Sequence, residues 1–251
     1  MKSLGIRSIK DYWQIPGVEY KGETSMYDLS KTPLATKTQE EHAKHRETVM
    51  QNNDFYIGDI PLYHAIFTAA FKQPNSKQKE EIRRFIQEQI RSKYPITLTR
   101  IQYTPKGKDK IIHNFGTNEQ YDLEEYIAGP DRKIESEDRN ALNALLGTDN
   151  INEINEVYNW INNKPIYIWR VNEKPEQIEE RVAGFIANSD RFNLNCSGSP
   201  QGSYEGLGVR RAKILNESLS QIAIKEGITS PIELIKAIKI YKLANKLISA
   251  K

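Results

Sequence analysis

The run Ile166, Tyr167, Ile168, Trp169, Arg170 and Val171 constrains the fold more than any other stretch of the chain. Both of its alternating sets are apolar except at Arg170. A strand apolar on both sides must be covered on both sides, so it belongs in the middle of a sheet with other elements over it. A guanidinium in that setting is either paired with a helix carboxylate or lines a cleft. Pro175 suits the first position of a following helix. Ile178, Val182, Phe185 and Ile186 would place one face of that helix on the core, and Phe192 with Leu194 marks the next strand. Strand, helix and strand on short links predict a βαβ unit over residues 165–196, with parallel strands and a right-handed crossover.

The rest of the chain divides by its local signals. Residues 1–36 mix Gly, Pro, Ser, Thr and Tyr without sustained periodicity and read as an irregular arm. Thr38 with Glu41 three residues on is a capping box, opening a helix with a polar, charged face that runs to about residue 51. Pro61 starts a second helix and Ser76 caps a third, whose stripe is Ile82, Phe85, Ile86 and Ile90. Residues 96–103, β-branched and aromatic between two prolines, predict a strand that returns over 111–115 as a hairpin. Ser136 caps a helix through residue 146, and Asp149 or Asn150 caps the next. Residues 209–225 read as a helix, and Pro231 opens a last one with Leu234, Ala237, Tyr241, Ala244 and Ile248 on one side and four lysines opposite. These signals together predict an α+β protein: a small mixed sheet, made of the hairpin and one βαβ unit, covered by helices. Its N-terminal third is mainly helical. Residues 1–93 form a helical layer or subdomain and 94–251 the α+β core, unless 1–251 is one continuous domain.

Whole-chain properties exclude several classes. With 38% hydrophobic and 27% charged residues, 251 residues can bury a core and are not the composition of a disordered chain. The single cysteine, Cys196, rules out an internal disulfide and a multi-cysteine zinc site, and suits a reducing, cytoplasmic setting. No apolar run is long enough to span a bilayer. A net charge of +3 permits a nucleic-acid partner without arguing for one.

The candidate site lies at the stretch from Cys196 to Arg211, rich in Gly and Ser, which reads as a loop between a strand and a helix start. Backbone N–H groups, the positive end of a helix and the pair Arg210 and Arg211 would suit a phosphate or carboxylate there. The glycine spacing fits neither the dinucleotide fingerprint nor the phosphate loop of nucleotide triphosphatases. If Arg170 stands at its strand's carboxyl end, a ligand-binding set results: Arg170, Asn172, Asn195, Ser197, Ser199, Arg210 and Arg211. Cys196 is a candidate nucleophile with His113 as its base, although strand alternation points Cys196 inward with Phe192 and Leu194. His42 and His45, three apart on one helix, lack a third ligand, and no metal is expected. The hairpin turn Lys106–Lys110, with Arg100, Tyr103 and His113 nearby, is either a nucleic-acid contact or a solvated turn guarding a sheet edge. The leading expectation is an intracellular binding protein for a phosphate-bearing ligand, a nucleotide or nucleic acid. A hydrolase or transferase at the same loop, and a protein–protein interaction or structural protein, are the alternatives. No cofactor is implied.

Overall fold

The computed structural model describes residues 5–212. The fold below is that of the unit Met1–Arg211. The last predicted helix, and most of the one expected over 209–225, lie outside the described residues.

The sheets are larger than the sequence signals predict. A four-stranded sheet runs β1 (Arg7–Ser8), β2 (Tyr12–Tyr20), β3 (Glu23–Ser30), then β13 (Val209–Arg211) from the far end of the chain. A two-stranded ribbon pairs β4 (Leu34–Lys37) with β12 (Tyr204–Gly206). Between them in sequence come the strands of a seven-stranded sheet: β5 (Ile96–Tyr103), β6 (Asp109–His113), β7 (Tyr121–Glu125), β8 (Arg132–Lys133), β9 (Ile166–Trp169), β10 (Glu179–Ala187) and β11 (Phe192–Gly198). Their order is β7-β6-β5-β10-β11-β9-β8. The helices are α1 (Gln39–Met50), α2 (Ile60–Lys72), α3 (Lys77–Ser92), α4 (Arg139–Leu146) and α5 (Ile151–Asn162). The expected small sheet and helical N-terminal third are therefore corrected: residues 7–37 are four strands, and the main sheet has seven.

Two β-bulges account for most of that difference. In β2 the buried residues are Trp13 and Ile15, then Val18, because the pairing with β3 slips between Ile15 and Val18 at Gly17, whose φ is +74°. One extra residue breaks the period of two, and the segment reads as irregular. In β10 the slip falls between Val182 and Gly184. It leaves Val182, Phe185 and Ile186 at a spacing that imitates a helix. The segment is instead a central antiparallel strand between β5 and β11, and Ile178, assigned to the core face of that helix, is exposed. A side chain at Gly184 would meet the Pro95 carbonyl oxygen at 2.7 Å, so only glycine lets β5 and β10 close there. β9 and β11 do pair in parallel, Phe192 opposite Ile166, but the chain between them is a strand, not a crossover helix.

The seven-stranded sheet is forced to curl. Flat, its edges would stand about 29 Å apart at about 4.8 Å per strand. Residues 126–131 link β7 at one edge to β8 at the other, and seven peptide steps reach at most about 25 Å. This link is bracketed on both sides. Asp109 of β6, fully buried, accepts from the N–H groups of Ile127 and Ala128 at 2.9 Å each and is ion-paired with Lys174. Gly129 N–H donates to Val171 O. Arg170 donates to the carbonyls of Ile127 and Pro130 and to Asp138 at 3.0 Å, while its own N–H donates to Asp131. Arg170 and Asp138 are both buried, so the charge expected in a central strand lies just past the end of β9, next to the sheet edge, and closes the sheet.

The core forms where α2 lies between the two larger sheets, against β2 on one side and β5 on the other. Nine of its thirteen residues are buried, as expected of a helix apolar all round. Tyr63 and Phe67 meet Tyr158 of α5, Phe185 and Phe192 in one aromatic cluster. A smaller cluster, Ala43, Ile57, Ile96, Leu98 and Val182, lies under α1. The polar face of α1 is not all solvated: Gln39, His42 and Arg46 are buried with Ala43.

Arg170→Met removes the buried guanidinium from Asp138, which keeps Arg132 at 3.2 Å and the Glu135 N–H, and should cost about 2–3 kcal/mol in urea melts, less than a fully unpaired buried charge; a loss under about 1 kcal/mol would mean that the bracket does not hold the sheet. His42, His64 and His113 are all held below the ordinary histidine range, with burial the main cause in each and His64 brought down to about 4. Below about pH 6.5 the unfolded chain binds these protons and the folded one does not. Folding stability should therefore be fully present above pH 7 and fall between pH 7 and 4, by up to about 1.4 kcal/mol per pH unit for His64 alone. Denaturant midpoints at pH 7.5, 6 and 5 measure it, and an unchanged midpoint contradicts it.

Candidate anion site

Arg46 projects from α1 on the stripe Gln39, His42, Ala43 and Arg46, and is only 2% exposed. Its guanidinium donates to the side-chain oxygen of Asn114 and, at 2.6 Å, to Glu119, and it lies 4.8 Å from the ring centre of Tyr56. Asn114 in turn donates to the Tyr20 hydroxyl at 3.1 Å, which donates to Asp59 at 2.7 Å. The other oxygen of Asp59 accepts from Leu62 N–H and caps α2. This chain of hydrogen bonds starts at Glu119 and ends at a helix N-terminus, and it holds Arg46 in place.

Arg46 lines a cavity of about 370 Å³ together with Lys21, Ser25, Tyr27, Tyr56 and Arg211. Pairing of β13 with β3 sets Arg211 opposite Tyr27, and a bridge to Val209 places Tyr56. Tyr27 and Tyr56 are each only 7% exposed, and neither hydroxyl has a hydrogen-bond partner among the described residues. Burial raises both phenols, Tyr27 to about 12, so both are protonated donors at neutral pH. Two acids share the lining, each tied to a cation: Glu119 to Arg46, and Glu23 to Arg211 at 2.9 Å. Glu23 and Arg211 are largely solvated, and an exposed pair of this kind is worth about 0–1 kcal/mol, whereas Glu119 meets a buried guanidinium.

The residues expected from the sequence are placed in two separate groups. Arg170 and Asn172 belong to the sheet bracket, Asn172 accepting from Asp131 N–H at 3.2 Å. The depression beside Arg170 also holds Glu125, Glu137 and Asp138, which makes it acidic. Asn195 accepts from Ser197, and Ser199 donates to Gln201. Arg210 donates to Asp28 and to Asn53 O and stacks on Phe55. The three guanidiniums expected to converge thus rest on three carboxylates: Asp138, Asp28 and Glu23. Arg211 is the one that reaches the cavity.

The loop itself is mostly strand. Cys196 lies in β11, and β12 and β13 follow, so a helix does not begin at residue 209. A side chain at Gly198 would meet Val182 O at 2.7 Å, and one at Gly206 would clash with Ile57. These glycines serve close packing. Cys196 is fully buried and its thiol is pushed up to about 12 by burial. His113 has both ring nitrogens engaged, by Thr99 at 3.0 Å and Ala144 O at 2.8 Å. Arg100 is buried against Gln39, Glu40, Glu180 and the Phe115 ring, and the Tyr103 hydroxyl donates to Cys196 O. His42 and His45 bond separate carbonyls, of Tyr204 and Phe55. Among the described residues no three His, Cys, Asp or Glu side chains are grouped to hold a metal, and no helix is long and apolar enough to cross a membrane.

Sequence reasoning missed Arg46, Tyr27, Tyr56, Asn114 and Asp59. A signal for Arg46 was present, since residues 39, 42, 43 and 46 recur at helical spacing on the least charged side of α1. No family model, curated protein or solved structure matches this chain.

In native protein, Cys196 should resist a thiol-specific disulfide reagent even at pH 9, and should react fully in guanidinium chloride. Rapid reaction in the native state would show that the thiol is neither buried nor protonated as described.

Proposed function

We propose that the protein binds a small phosphate-bearing ligand, of nucleotide class, in the cavity formed by Arg46, Tyr27, Tyr56 and Arg211. One observation carries this reading: the phenol hydroxyls of Tyr27 and Tyr56, unpartnered among the described residues, share a cavity with a buried guanidinium. Protonated phenols beside a guanidinium are convergent donors that an acceptor-rich anion satisfies together. A volume of about 370 Å³ suits a small molecule. A nucleic-acid polymer would call for a continuous basic groove. The lining holds no histidine or cysteine, so the reading is one of binding and not of imidazole or thiol catalysis. A lone, protonated cysteine suits a cytoplasmic protein, where phosphate esters are plentiful.

Calorimetric titration with inorganic phosphate and uridine 5′-monophosphate tests the proposal. Each hydrogen bond to the charged group is worth about 1.5–3 kcal/mol. Tyr27→Phe should therefore weaken binding at least about tenfold while leaving thermal stability unchanged, because the lost hydroxyl bonds no other described residue. Arg211→Gln should weaken binding by a similar factor. Absence of binding by both probes, or unaltered affinity in Tyr27→Phe, would refute the proposal; a polymer-only response with a steep salt slope would replace it with nucleic-acid binding.

A further inference from the structure

Tyr20 and Lys21 line a second cavity as well, of about 330 Å³, walled by β2, α2 and the start of α5. Two polar residues of α2 line it, His64 and, one turn on and on the same side of the helix, Thr68. His64 is buried, and its Nδ1 lies 3.2 Å from the Tyr158 hydroxyl. That phenol has no other partner among the described residues, so it donates to Nδ1; otherwise its proton would be a buried donor left unmet. An accepting Nδ1 fixes the imidazole proton on Nε2. Neither Nε2 nor the Thr68 hydroxyl has a partner among the described residues.

The charges around this cavity balance. Lys72 is paired with Glu153 at 2.6 Å, and Lys21 is offset by Glu19. A neutral imidazole N–H beside a hydroxyl recognises an uncharged oxygen, such as a sugar hydroxyl or a carbonyl. The two cavities have Tyr20 and Lys21 in common, and one hydrogen-bond chain orients Tyr20 for both.

We infer that the two cavities are the halves of one bipartite site, taking a phosphate beside Arg46 and a neutral, hydroxyl- or carbonyl-bearing body beside His64 and Thr68. The ligand class is thus a sugar phosphate or nucleoside monophosphate. This rests on the phosphate reading above, and the two are separable by experiment. Calorimetry would compare inorganic phosphate with ribose 5-phosphate on the wild-type chain and on Thr68→Val, which keeps the side-chain shape and removes a hydroxyl with no described partner. Ribose 5-phosphate should bind at least about tenfold more tightly than phosphate. Thr68→Val should erase most of that advantage and leave phosphate affinity unchanged. The Nε2–H resonance of His64 should shift with ribose 5-phosphate and not with phosphate. Equal affinities, or an unmoved His64 resonance with ribose 5-phosphate bound, would overturn the bipartite site and leave the phosphate reading intact. No binding by either probe would remove both.

Discussion

The carboxylate of Asp59 is the point on which the arrangement of this molecule turns. It is fully buried, and N–H and O–H donors hold it. Leu62 N–H ties it to α2, and the Tyr20 hydroxyl ties it to the four-stranded sheet. The next residue, Ile60, donates its N–H to the Thr99 hydroxyl on β5 of the seven-stranded sheet at 3.0 Å, and burial together with the Asp59 charge holds the Tyr121 phenol of β7 above its ordinary range. The positive end of α2 favours the negative charge. The start of α2 is thus tied to both large sheets. The same bonds orient Tyr20, through which Asn114 and Arg46 are positioned. Fold and cavity share a single polar frame, and a buried frame of this kind is rigid only when every member is satisfied.

The closure of the seven-stranded sheet is the second constraint. Its hydrogen bonds are local to the link over residues 126–131, yet they decide which edge meets which. Arg170 follows β9 for a structural reason, because the curled sheet needs donors facing the carbonyls of that link.

Local chemistry was legible and long-range chemistry was not. The capping box of Thr38 and Glu41, the caps at Ser76 and Asn150, and Pro61 at a helix start each act within four residues, and each marks a helix that exists. The bulged strands β2 and β10 were illegible because one inserted residue destroys the alternation that identifies a strand. Partners remote in sequence decide the rest. Arg170 announced itself by interrupting an apolar run, and the pairing alternative proved to describe it. Arg46 drew no notice because it lies on a helix crowded with charge, and only the fold shows that Asn114 and Glu119 come to meet it. The glycines of residues 198–208 suggested an anion cradle; nothing local distinguishes that from the packing against Val182 and Ile57 that they serve.

The central claim is that a buried guanidinium and two phenols without described partners form one anion-binding surface. A crystal structure of the full chain grown with inorganic phosphate tests it most directly. The account predicts tetrahedral density within about 3 Å of the hydroxyls of Tyr27 and Tyr56 and in contact with the Arg46 guanidinium. Ordered density for those three side chains, with water alone between them at saturating phosphate, would contradict it.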